Sequence, residues 1–176
     1  MNKIPATRKN LSAKNVWLLP VISFLFFSCG VYSFKDVSIP PDVKTIHLGY
    51  IENKARYVNP QLSPQLTDKV KQKINNQTRL TQVEANADWD VTAYVSSYDI
   101  STAAVSNQKS ATNRLTVAVH IVFRDSKDEK KNYEADVTRN FDFDANISFS
   151  QAEPALLQQI LTTMTDDIFN RLFSNW

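Results

Sequence analysis

The run "YEADVTRNFDFD", residues 133–144, alternates with a period of two along its whole length, and no other stretch constrains the fold as tightly. Tyr133, Ala135, Val137, Phe141 and Phe143 fall on one side, interrupted only by Arg139. Glu134, Asp136, Thr138, Asn140, Asp142 and Asp144 fall on the other. Successive side chains of a strand point to opposite faces, so this strand has one dry face and one wet face. That pattern belongs to an antiparallel sheet covered on one side, because parallel sheets are buried on both. The acidic residues then read as a solubilising outer face and not as paired catalytic carboxylates.

Two further runs repeat the pattern. In "RLTVAVHIVFR", Leu115, Val117, Val119, Ile121 and Phe123 oppose Thr116, Ala118, His120, Val122 and Arg124. In "WDVTAYVSSYDI", Trp89, Val91, Ala93 and Val95 oppose Thr92, Tyr94, Ser96 and Tyr98. "TIHLGYI" supplies a fourth strand through Ile46, Leu48 and Tyr50. Between the first strand and the rest, Ser63 offers an N-cap before Pro64, and Leu66, Val70 and Ile74 recur every four residues as the dry side of a short helix. A second helix is predicted near the end, opened by a capping box at Ser150–Glu153 with Pro154 in its first turn. Leu157, Ile160, Leu161, Met164, Ile168 and Leu172 form its apolar stripe. The expected fold is therefore α+β, in the order β-α-β-β-β-α: a four-stranded, mostly antiparallel sheet with two helices packed on one face. "STAAVSNQKSATN", residues 101–113, reads as a long loop open to contact.

The N-terminus has a different character. Lys3, Arg8, Lys9 and Lys14 precede an apolar run of about twelve residues, Val16 to Phe27, whereas a membrane-crossing helix needs about 20. A basic segment followed by a short apolar one has the layout of a secretory signal peptide. The run stops at Ser28-Cys29-Gly30, and Cys29 is the only cysteine, so no intrachain disulfide can form. The arrangement resembles a bacterial lipobox, in which the thiol is alkylated with diacylglycerol, the chain is cut before it, and the new amine is acylated. Residues 1–28 are then a cleaved leader, 29–44 a lipidated tether that could reach roughly 50 Å, and 45–176 one domain. One acyl chain holds marginally; three hold essentially permanently. The leader carries four of the 20 basic residues and none of the 18 acidic ones, so the remainder is slightly acidic, 16 against 18. A nucleic-acid partner loses its electrostatic support.

Little in the chain suggests catalysis. With only Gly30 and Gly49, neither a dinucleotide fingerprint nor a phosphate loop can be written, and two histidines, His47 and His120, supply no metal-ligand spacing. No cofactor or metal is expected. Binding fits better. Tyr94, Tyr98, His120 and Arg124 would lie on the open sheet face, where aromatic and cationic groups suit sugars and phosphates. Lys69, Lys73 and Arg79 would form a second cationic patch, and Arg114 is a further candidate contact.

Taken in order, "CGVYSF", "SIPPDVKTI", "YIENKARYVNP", "QTRL", "NRLTVAV" and "DDIFNRLFSNW" make the chain resemble the lipopolysaccharide-assembly lipoproteins of the LptE family, in its Bacteroidetes branch. The resemblance covers essentially everything after Cys29. It implies two helices on a four-stranded sheet and a non-enzymatic role: plugging the LptD outer-membrane β-barrel, helping it assemble, and assisting lipopolysaccharide transport to and insertion into the outer membrane. The implied partners are that barrel, lipopolysaccharide, and the outer membrane itself through the N-terminal acyl chains. Gly30-Val31-Tyr32-Ser33 carries neither a retention aspartate nor an acidic export cluster, which implies the periplasmic side of the outer membrane. The alternative is a stand-alone periplasmic lipoprotein that binds a lipid or serves another envelope transporter.

Overall fold

The computed structural model describes residues 39–106 and 109–174, with side chains outside 104–111; Cys29 and the expected leader lie outside the described residues. Six strands form one mixed sheet: β1 (Thr45–Leu48), β2 (Glu52–Asn53), β3 (Thr81–Gln82), β4 (Trp89–Ser106), β5 (Lys109–Asp125) and β6 (Tyr133–Asp144). Two helices accompany them, α1 (Leu62–Gln77) and α2 (Phe149–Phe173). The strand order is β3-β1-β4-β5-β6, with β2 also on β4.

This departs from the expected four mostly antiparallel strands. β4, β5 and β6 are antiparallel, but β1 runs parallel to β3 and β4, and β2 parallel to β4. The helix between β1 and β3 is the crossover a parallel pair requires. β2 and β3 have two residues each, too few to display a period of two.

The dry face is as the alternation predicts. Leu115, Val117, Val119, Ile121 and Phe123 are buried, as are Phe141 and Phe143, against a core shared with both helices. From α1 come Leu62, Leu66, Val70 and Ile74; from α2 come Leu157, Ile160, Leu161, Met164 and Ile168. Arg139, the one interruption, reaches from the dry side of β6 to a two-pronged pair with Asp167 of α2. Its charge is thus satisfied at the edge of the helix layer.

The helix starts move by one or two residues. α1 begins at Leu62, before the expected Ser63 cap; Gln61 N–H donates to Asn59 Oδ1 at 2.8 Å, and Pro64 occupies the first turn. α2 is capped at Ser148, whose N–H donates to Gln151 Oε1 at 3.0 Å. Pro154 therefore falls in the second turn, where it costs a helical hydrogen bond to the exposed Ser150 carbonyl.

Three larger differences matter for function. First, β4 carries a bulge: Val95 pairs with Val119 but Ser97 pairs with Ala118, leaving Ser96 extra. The phase is reversed from Ser97 as far as the next register shift after Thr102, so Tyr98 turns inward. Second, the expected loop at 101–113 continues the β4–β5 ladder out to Ser106 opposite Lys109. Small polar residues lack hydrophobic periodicity, but backbone pairing does not require it. Third, the fold begins inside the expected tether. Ile39 and Val43 are buried, and the Arg79 guanidinium donates to the carbonyls of Ile39 at 2.9 Å and Pro40 at 2.6 Å.

Candidate functional site

On the open sheet face, Tyr94 of β4 faces His120 of β5, with ring centroids 5.1 Å apart, and Lys54 Nζ sits 4.5 Å above the tyrosine ring. His120 Nδ1 lies 2.8 Å from Asp136 Oδ1, and its Nε2 lies 3.5 Å from Glu134. Two rows further, past Thr92 and Val122, Arg124 pairs in register with Asp90, but Asp90 is engaged by His47 from β1. Arg124 is exposed and makes no ion pair among the described residues. At the other end of the face, Arg114 grips Asp142 with two bonds of 2.7 and 2.8 Å. That bidentate pairing raises the Arg114 guanidinium and lowers the Asp142 carboxyl relative to their ordinary values. On the wet face, then, Arg114, His120 and His47 each meet a carboxylate.

Tyr98 is not on that face. It is buried, 1% exposed, and its hydroxyl donates to Glu153 Oε1 of α2 at 3.2 Å. Burial first, and then the charge of Glu153, push its phenol above the ordinary tyrosine range. The structure therefore separates the two expected tyrosines onto opposite sides of the sheet.

The second cationic patch also dissolves. Lys73 Nζ bonds to Asp166 Oδ1 at 2.6 Å and lies 5.2 Å over the ring of Phe169, tying α1 to α2. Arg79 is committed to the carbonyls of Ile39 and Pro40. Lys69 is partly exposed beside Lys73 in a shallow groove between the helices.

Two features escaped sequence reasoning. Glu153 accepts hydrogen bonds from Asn59 Nδ2 at 2.7 Å, from Tyr57 at 3.1 Å and from Tyr98, while Tyr57 stacks on Tyr98 at 5.5 Å and meets Phe149 edge-on at 5.7 Å. Glu153 lies 55 to 96 positions from its three donors, and only the bulge brings Tyr98 among them. Around this cluster, Val58, Ile100 and Ile147 are exposed by 55, 47 and 40%. At the opposite end of the sheet, Trp89, Phe123, Tyr133 and Phe173 line an apolar recess of about 550 Å³ with Ile39 at its edge and Lys131 on its rim. Nothing in the sequence pattern marks either site beyond the abundance of aromatic residues.

Among the described residues, no three His, Cys, Asp or Glu side chains are grouped to hold a metal ion. None of the described helices is long and apolar enough to cross a membrane. A mixed sheet with one wet face and one face covered by two helices describes an α+β domain. The chain belongs to the LptE family, the lipopolysaccharide-assembly family, whose model matches residues 43–172. Its role is accordingly in lipopolysaccharide assembly, and the family is non-enzymatic. No curated protein matches the sequence. Among solved structures, a Xanthomonas campestris protein is similar at 12% identity and a TM-score of 0.51, covering 76% of this chain and 88% of its own. Lipoprotein B from Nitrosomonas europaea is similar at 13% identity and a TM-score of 0.52, covering 75% and 83%. These likenesses establish a shared fold.

Proposed function

We propose that the chain is an outer-membrane lipoprotein that plugs an LptD-type β-barrel, helps it assemble, and assists delivery of lipopolysaccharide. Family membership across residues 43–172 carries this reading. The physical surface supports it. A water-filled barrel lumen is polar, and a wet sheet face on which Arg114, His120 and His47 are each hydrogen-bonded to a carboxylate, Asp142, Asp136 and Asp90, suits such a lumen. Lipidation at Cys29 would hold the domain at the periplasmic side of the membrane, where the barrel opens. The candidate contacts on this face are Tyr94, Arg124 and Arg114; Lys69 and Lys73 flank the helix layer. The reading is tested by purifying the tagged full-length protein from envelopes in mild detergent. A large β-barrel protein should accompany it in near-equal amount. Recovery of the lipoprotein alone, with surface lipopolysaccharide unchanged on depletion, would instead support a stand-alone envelope lipoprotein.

A further inference from the structure

We propose that the barrel partner docks by adding one of its own extended segments as a strand to the free edge of β4 between Ser97 and Thr102. This rests on the barrel-plugging reading and names the surface through which it operates.

β4 is paired with β5 along its length, but its other edge is used only in part. β1 covers Trp89–Val91, β2 covers Tyr94 and Val95, and Lys54 N–H closes on the Val95 carbonyl at 2.9 Å. Beyond that point no strand pairs with this edge among the described residues. Between the bulge at Ser96 and the register shift after Thr102, six residues run in unbroken register with β5, from Ser97 opposite Ala118 to Thr102 opposite Asn113. Six residues is an ordinary strand length.

Soluble proteins guard such edges with charge, proline or inward-pointing ions. β6, the free edge across the sheet, is guarded in that way, with Glu134, Asp136, Arg139, Asp142 and Asp144. The Ser97–Thr102 edge has one charge, Asp99, which lies on the wet side and accepts from Ser97 Oγ at 2.6 Å. It contains no proline or glycine. The contrast between the two edges is that of a surface kept from pairing and a surface left open to it.

The apolar collar independently points to the same place. Tyr57, Val58, Ile100 and Ile147 are four of the five large apolar residues exposed among those described. Ile100 is two residues beyond Tyr98 on the dry side of β4, Tyr57 covers the Tyr98 ring, and Ile147 precedes by two the Phe149 that meets Tyr57. A strand laid along the edge would place alternate side chains beside this collar, so the fitting partner segment is extended and alternately apolar. A lipid acyl chain would cover the collar but leave the backbone N–H and C=O groups of the edge unpaired, which favours a polypeptide.

The test uses the full-length lipoprotein in its native envelope. A photo-crosslinking residue is placed at Ile100 or Thr102, and for comparison at Thr138 or Asn140 on β6. The inference expects both β4 positions to crosslink to one segment of the barrel protein, at sites about two residues apart, and the β6 positions not to do so. The double substitution Ile100→Lys, Thr102→Lys should cut the co-purified barrel by about tenfold or more with the thermal midpoint unchanged, since both positions face solvent. Undiminished barrel recovery with that variant would overturn the inference and leave the plugging reading standing. Crosslinks from Ile100 to lipopolysaccharide, or to a second copy of this chain, would overturn it as well. If even the wild-type protein recovers no barrel, the plugging reading falls and this inference falls with it.

Discussion

Asp88 joins the start of the chain's first strand to the sheet. Its carboxylate accepts the N–H groups of Lys44 at 2.7 Å and Thr45 at 3.0 Å, and Lys127 Nζ lies 3.0 Å from its other oxygen. Those bonds, led by the Lys44 N–H, hold it well below the ordinary carboxylate range. The sign of the linkage follows from that direction. A carboxyl lowered on folding stabilises the native state above its unfolded value, near pH 4, and the benefit fades as acid protonates it. Asp88→Ala should therefore lower the urea midpoint most at neutral pH, and its difference from wild type should narrow once the pH drops below about 4. A difference that widens in acid would contradict this role. Glu153 links elements by accepting hydrogen bonds from Tyr57, Asn59 and Tyr98. Removing it in Glu153→Ala leaves the side chain of buried Asn59 and the Tyr98 hydroxyl without their acceptor, which should cost about 2 kcal/mol in equilibrium unfolding. Glu153→Gln, which retains an acceptor oxygen, should cost less.

At the scale of elements, the alternation in residues 115–123 and 133–143 was readable because each such strand has one dry face and no interruption of register, and the structure keeps their sides as expected. β4 was readable only as far as Val95. Past Ser96 the same two-residue reading assigns Tyr98 to the wrong face, since a bulge is set by pairing with β5 and leaves no hydrophobic signature of its own. The same limit hid β2, β3 and the outer ribbon: their pairing is carried by backbone groups, while their side chains are too few or too small to show a period. The expected cationic patch failed for a related reason. Spacing along α1 shows that Lys69 and Lys73 share a side, but not that Asp166 arrives from α2 to claim Lys73. Deleting Ser96 tests the bulge directly. Without the extra residue, Ser97 follows Val95 opposite Ala118 and Tyr98 keeps its place opposite Val117, so the deletion should leave Tyr98 in the core and cost only the local straightening of the strand, about 1 kcal/mol. The Ser96→Ala protein, which keeps the extra residue, should unfold within about 0.5 kcal/mol of wild type. A loss of about 3–5 kcal/mol in the deletion variant, the size of truncating a buried aromatic, would show that Tyr98 had left the core and that Ser96 is not the extra residue.

For the whole molecule, the proposed anchor and the described domain are tested by separate measurements. Among the described residues the core starts at Ile39, and Val43 packs in it just before the first strand. The anchor depends on one atom, the Cys29 sulfur, which is proposed to carry a diacylglyceryl group next to an acylated amine. At about 0.8 kcal/mol per buried methylene, three chains exceed any affinity a partner surface would need to supply. Replacing Cys29 with serine should therefore abolish incorporation of labelled palmitate and leave the chain uncut, with residues 1–28 retained. The mature wild-type protein should instead begin at residue 29 by mass, and its isoelectric point should fall below the sequence value of about 8.6, because the leader's four basic residues are gone. The two proteins should nevertheless share one thermal midpoint, as the folded core is the same in both. A mature wild-type mass equal to the unmodified chain would remove lipidation, and a lowered midpoint in Cys29→Ser would show that the segment before Ile39 contributes to the fold.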